Sequence, residues 1–288
     1  MLRTNRDYLR SQRLAERRRR RLWVRGVLIV ILSLFLLGSL ILVARMDAFT
    51  VRQVAIVGST RVGDGELSAM ADQDATGTWM YLIPRRNIFL YPTAHVATDI
   101  QAAYPQFSNV VVKRSGLSTI KIYVTERQPR ALWCDGTAPS ETSASVCYLL
   151  DQTGYIYSTN TGSTSVQSDA YLRFYGGVED MSAPIGNVLV SSSSFNEISL
   201  LAERMRQAGL VPESVLIRNP NEFSVHIAHN GNIIFSNTKP IQDEFENLKS
   251  ALKSDAFKAT SSNSTSTVRR PFEYIDTRFG NKIFYKLK

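Results

Sequence analysis

Cysteine and histidine have the most versatile side-chain chemistry, and this 288-residue sequence has few of either: Cys134 and Cys147, with histidines at 95, 226 and 229. A structural zinc centre takes four such ligands at close spacing, so a Cys/His metal cluster is excluded, and no metal or cofactor is expected. The two cysteines end one apolar segment and begin the next, with Gly136, Pro139 and a Ser/Thr run between them. That connection suits neighbouring strands with facing sulfurs. A disulfide between Cys134 and Cys147 is expected, with two buried thiols as the alternative. Hydrolytic chemistry needs a nucleophile, a base and oxyanion donors in mutual reach. Gly-x-Ser-x-Gly, His-Glu-x-x-His and Ser-x-x-Lys with its companion motifs are absent. Gly58, Gly63 and Gly65 lack phosphate-loop spacing and read as turn glycines. Asp64 and Glu66 fall at a helix start, where carboxylates serve capping and the dipole. A non-enzymatic protein is expected, with a membrane-anchored extracytoplasmic enzyme as an alternative.

Charge is concentrated at one end. Residues 1–25 hold ten arginines against Asp7 and Glu16, a net of +8 out of +9, so the rest of the chain is near neutral. Nucleic-acid-binding domains carry a basic face, and no nucleic-acid partner is expected. Behind the arginines, Gly26 to Ala44 is nineteen residues without a charge. As a helix at ~1.5 Å per residue it would be about 28 Å long, close to the hydrocarbon thickness of a bilayer. The arginines hold the N-terminus in the cytoplasm. Trp23 suits the near interface, and Arg45 can snorkel to the far one. A cleaved signal would have a shorter apolar region and a better small-residue site than Leu42-Val43-Ala44. The reading is a basic cytoplasmic tail (1–21), a single transmembrane helix in lipid (22–45), and an extracytoplasmic remainder.

The elements that follow are expected in the order β-α-α-β-β over residues 47–127. "FTVRQVAIVG" reads as a strand covered on both faces and ended by Gly58. Asp64 is expected to cap a short helix carrying Leu67, Met70 and Ala71. A second helix is capped by Thr93, carries Val96, Ile100 and Ala103 on one stripe, and stops at Pro105. "FSNVVVKR" and "STIKIYVTER" then form a hairpin in which Ile120, Ile122 and Val124 are buried against a wet face of Lys121, Tyr123 and Thr125.

This arrangement resembles a POTRA domain, and its details are similar to the FtsQ/DivIB family of bacterial cell-division proteins. The resemblance rests on Phe49-x-Val51-x-x-Val54-x-Ile56-x-Gly58, on Glu126-Arg127-x-Pro129-x-Ala131-x-Trp133, on the Asp151-x-x-Gly154 turn and on "YIDTRF" near the end. It departs from the family at Leu117, in the cysteines, and in the aromatic insert "WMYLIPRRNIFLYP". It implies a non-enzymatic inner-membrane divisome scaffold at the septum. The partners it implies are FtsB/FtsL- or DivIC-like coiled-coil membrane proteins and other divisome proteins, through which septal wall synthesis is controlled. A POTRA-containing assembly or secretion factor is the weaker resemblance.

From 128 to 288 the pattern predicts an α+β domain: short strands on an antiparallel sheet, with two helices. Phe195, Ile198, Leu201 and Met205 mark the first helix, ended by Gly209. Ile241, Phe245, Leu248 and Leu252 mark the second, opposite a polar face of Asp243, Glu246, Asn247 and Ser250. Ser/Thr-rich stretches at 142–146, 158–169 and 258–270 read as loops, and Asn263-Ser264-Thr265 fits a glycosylation pattern whose ordinary reading is a solvated loop. The chain closes on a hairpin turning at Gly280-Asn281. Ile283, Tyr285 and Leu287 fall on one face, Lys282, Phe284, Lys286 and Lys288 on the other. With no sequence after it, the last strand is expected at a sheet edge, where lysines deter unwanted pairing. The family resemblance implies that the partner adds a strand here. Tyr274, Phe279, Lys282, Ile283, Phe284, Tyr285 and Lys286 are then the expected binding residues.

Overall fold

A computed structural model describes residues 6–136, 146–161, 170–178, 180, 182–257, 270–280 and 282–288, with the side chains of 6–17 excepted. The Ser/Thr-rich loop segments lie largely outside the described residues, as do Asn263-Ser264-Thr265 and Asn281 of the final turn. The chain is mixed α+β and divides into two compact units, residues 1–102 with 109–124 and residues 103–108 with 125–288.

The first unit opens with α1 (Arg6–Ala44), so the basic and apolar segments form one continuous helix. Nothing between them breaks it, and arginine and leucine are both good helix formers. From Arg18 to Ala44 it is long and apolar enough to cross a membrane, with an 18-residue window of mean hydropathy 3.1 and none of that window buried. After a 3-10 turn at Asp47–Phe49 come β1 (Gln53–Val57), α2 (Asp64–Asp74), β2 (Thr78–Trp79), β3 (Ile83–Pro84), α3 (Thr93–Ala103), β4 (Phe107–Ser115) and β5 (Thr119–Glu126). The expected β-α-α-β-β order holds, with the small β2–β3 hairpin added inside it. The sheet order is β1-β5-β4, and β1 runs parallel to β5, from Gln53↔Thr119 to Val57↔Tyr123.

Three details of the sequence reading change. Val57 is 48 % exposed, because β1 lies at a sheet edge and only part of it is covered. The cap of α2 is Gly63, without a side-chain bond, and Asp64 is instead the first helical residue, where its charge faces the dipole. Ala103 is exposed, so the buried stripe of α3 is Val96 and Ile100. Ile120, Ile122 and Val124 are buried as expected. Gly58 is required: its φ is 96°, and a Cβ there would lie 2.2 Å from the Val124 carbonyl oxygen.

The second unit carries a nine-stranded sheet formed by β6 (Ala131–Cys134), β7 (Cys147–Leu150), β8 (Ile156–Thr159), β9 (Arg173–Gly176), β10 (Pro212–Asn219), β11 (Glu222–Ile227), β12 (Asn232–Ser236), β13 (Phe272–Phe279) and β14 (Lys282–Leu287). Their order is β14-β13-β12-β11-β10-β9-β6-β7-β8. The sheet is mixed, and the expectation of an antiparallel one is corrected: β12–β13, β10–β9 and β6–β9 pair in parallel. Two of these follow from the helices, since α4 (Ser192–Gln207) joins β9 to β10 and α5 (Ile241–Leu252) joins β12 to β13. A strand regained through a crossover helix runs parallel to the one left.

Alternation along the strands sends one set of side chains to a large core with both helices and the other set to a smaller cluster. Trp133, Phe174, Phe223, Phe235 and Ile275 meet Phe195 and Leu248 in the first. Leu132, Cys134, Leu149, Tyr157 and Tyr175 form the second. The Ser191 hydroxyl caps α4 by accepting from the Ser194 amide, and Gly209 (φ 76°) ends it.

Candidate functional site

The last hairpin ends the sheet. β13 lies between β12 and β14, while among the described residues no strand pairs with the outer side of β14. β13 and β14 pair antiparallel through Phe272↔Leu287, Tyr274↔Lys286, Ile275↔Tyr285, Asp276↔Phe284 and Phe279↔Lys282, with register shifts between Phe272 and Tyr274 and between Asp276 and Phe279. The opposite edge differs. β8 is four residues long, and segment 186–188 covers its start: the Ile156 amide donates to the Asn187 carbonyl and the Gly186 amide to the Ile156 carbonyl. Short edges that are partly covered resist strand addition, whereas a six-residue edge without a paired strand invites it.

The side chains of β14 divide much as expected. Ile283 and Leu287 pack on the large core, and the Tyr285 ring lies 4.8 Å from Phe257. Phe284 meets Phe279 edge to face at 5.1 Å, and both remain more than half exposed. With Tyr274 and Tyr285 also exposed, four aromatic rings of one hairpin reach solvent. Tyr285 thus anchors on one side and is 43 % exposed on the other.

The lysines are unlike one another. Lys286 Nζ lies 2.6 Å from Glu273 Oε2, and that hydrogen bond and charge hold its ammonium above the usual lysine range. Lys288 Nζ donates to the Asn230 carbonyl. Lys282 is exposed and among the described residues has no ion-pair partner.

Beneath the hairpin is a polar brace whose role the sequence reading did not assign. Arg278 donates to both Asp276 oxygens, at 2.9 and 2.7 Å, and to Glu222 on β11. Its pKa is raised, first by the Asp276 bond. Burial pushes Asp276 up, but the Arg278 bonds outweigh it and hold that carboxyl low. The buried Glu244 of α5 accepts from the Ser236 amide (3.0 Å) and the Thr277 hydroxyl (2.9 Å) through one oxygen. The other has no partner, and burial raises the Glu244 pKa. Asp276 and Arg278 were legible as an i, i+2 pair on one strand face. Glu244 sits within a helix whose neighbours Asp243 and Glu246 are exposed, and nothing local sets it apart.

The other expected residues have clear places. Cys134 and Cys147 are register partners on β6 and β7 and are joined by a disulfide. His226 lies beside Asn232 at 3.1 Å, and His229 occupies the β11–β12 turn with φ 61°. One cluster was missed because Asp74 is far in sequence from its other two members: α2 and α3 bring Asp74, His95 and Asp99 to within 4.8 Å of one another. His95 faces Asp99 at 3.3 Å, while burial and then the Asp99 charge raise the Asp74 carboxyl, against a lowering by His95.

No family model and no curated protein matches the chain.

Proposed function

We propose that this protein is a single-pass, non-enzymatic scaffold of the bacterial divisome, of the FtsQ/DivIB kind. Its N-terminus is cytoplasmic, and a POTRA domain followed by a β domain lies outside the inner membrane at the septum. The β14 edge takes a strand from an FtsB/FtsL- or DivIC-like partner and so couples assembly to septal wall synthesis.

The observation that carries this reading is the contrast between the sheet's two ends: a four-residue β8 covered at its start by segment 186–188, and a six-residue β14 lined with exposed rings that no other strand among the described residues pairs on its outer side. Main-chain bonds along such an edge supply affinity, and alternate side chains supply selectivity. Phe279 and Phe284 offer an apolar contact. Lys282 offers a charge for an acidic partner residue, which favours fast encounter. The ten N-terminal arginines before an apolar helix support the orientation.

The test uses the full chain in detergent and the extracytoplasmic segment of the partner. Deleting Lys282 to Lys288, or Tyr285→Pro, abolishes capture while the N-terminal unit keeps its helical circular dichroism. Lys282→Glu weakens capture, more at low salt than at high. A folded deletion variant that captures its partner at full affinity overturns the assignment.

A further inference from the structure

The aromatic insert after α2 stands apart from the hairpin just described. In β2–β3, Thr78 pairs with Pro84 and Trp79 with Ile83, and the Leu82 amide closes the turn on the Trp79 carbonyl at 3.0 Å. The two central residues of that turn, Met80 and Tyr81, have φ of 47° and 60°. A turn whose two central residues both have positive φ is ordinarily made by Asn-Gly, and large side chains are strained there. The strain is not offset by burial: Tyr81 is 93 % exposed and Met80 67 %. Trp79, Leu82, Phe89 and Leu90 are exposed beside them. Six large apolar side chains therefore face outward from one short segment, and a patch of that kind marks a binding surface.

What covers it follows from where it is tied. Arg45 Nε donates to the Leu82 carbonyl at 2.7 Å, and Asn87 Nδ2 donates to the carbonyl of Ala44, the last residue of α1, also at 2.7 Å. The Ile88 amide donates to the Phe49 carbonyl, and the Val51 amide to the Arg86 carbonyl. The insert is thus bound to the final turn of the apolar helix and to the residues directly after it. If that helix spans a bilayer, its final turn lies at the boundary between acyl chains and headgroups, and so does whatever is bonded to that turn. Tryptophan and tyrosine favour this depth, and Arg45 and the exposed Arg85 match the phosphates there.

We infer that the insert is a second membrane contact: the Trp79–Leu82 tip with Phe89 and Leu90 enters the outer boundary of the phospholipid bilayer that α1 crosses, and fixes the height and tilt of the N-terminal unit over it. The inference rests on the anchor reading of α1.

The full chain reconstituted in nanodiscs of phosphatidylcholine and phosphatidylglycerol brominated on the acyl chains separates the two. Trp23, Trp79 and Trp133 are the tryptophans, and Trp133 is fully buried, giving a constant unquenched background. Trp23→Phe leaves Trp79 as the lipid reporter, and Trp79→Phe leaves Trp23. Both variants are expected to lose emission in brominated discs relative to unbrominated ones, and the double variant to lose none. Met80→Asn with Tyr81→Gly, which suits the turn's backbone, should fold at least as well and reduce the quenching of Trp79. Quenching of Trp23 without quenching of Trp79 overturns the inference and leaves the anchor standing. A chain extracted by carbonate, with neither residue quenched, overturns both. Shielding of Trp79 by added partner protein but not by lipid also overturns it and makes the patch a protein contact.

Discussion

Arg127 donates to the carboxylate of Asp151, and both side chains are largely buried. The first belongs to the Glu126-Arg127-x-Pro129 segment and the second to the Asp151-x-x-Gly154 turn, so two motifs that stand twenty-four residues apart meet in one ion pair. Asp151 also accepts from the Thr153 amide and hydroxyl and from the Tyr155 amide, while the Arg127 guanidinium lies 4.2 Å over the Tyr155 ring. Arg127 further donates to the Pro105 carbonyl. The turn, the end of β5 and the segment before β4 are held by this one cluster.

Burial alone would raise the Asp151 carboxyl, but the bonds from Thr153, Tyr155 and Arg127 outweigh it and hold it below its ordinary 3.8. A group lowered by folding stabilises the fold above its unfolded value, and that contribution is lost as pH falls through the folded one. Asp151→Asn should cost about 3 kcal/mol at neutral pH, because it leaves Arg127 buried without a counter-charge. It should also flatten the stability curve below 3.8. Urea unfolding at pH 7 and pH 3 measures both.

Glu244 carries the opposite sign. Burial raises its pKa above 4.5, so the stability linked to its protonated form is complete below 4.5 and is lost as pH rises through the folded value. Wild-type stability should therefore contain a declining contribution above pH 4.5, and Glu244→Gln should remove it. A melting-temperature series across that range, compared between the two chains, reads the difference.

The Cys134–Cys147 disulfide joins neighbouring strands thirteen residues apart in sequence. For a loop of this length, replacing both cysteines with serine should cost about 3 kcal/mol. Added reductant should lower the stability of the wild type and leave the double variant unchanged.

Gly231 stands just before β12 and against β13, and a Cβ there would lie 1.8 Å from the Glu273 carbonyl oxygen. Gly231→Ala should push β13 outward and cost about 1–3 kcal/mol. Because β13 carries the hairpin, partner capture should fall with it while the N-terminal unit is unaffected.

Where the sequence was informative, its patterns had one local reading. The alternation at Ile120, Ile122 and Val124 and the stripe at Phe195, Ile198, Leu201 and Met205 each reflect a period that burial imposes, and the charge-free run ending at Ala44 is read from its length and composition. What escaped depends on distance. Parallel pairing of β12 with β13 is decided by the path of α5, and no residue in either strand encodes it. Asp74 and His95 meet because two helices pack, and Glu244 is acidic like its exposed neighbours. The cover over the start of β8 was not legible either, since it arises from residues 186–188.

Hydrogen exchange along β14 tests the central proposal most directly. A strand added to this edge must bond to the outward-facing amides of residues 282–287, which among the described residues no other strand engages. With the full chain and saturating extracytoplasmic segment of the FtsB- or DivIC-like partner, exchange in β14 is expected to slow markedly, with little change in β8. Bound partner with β14 exchanging at its free rate would contradict the account.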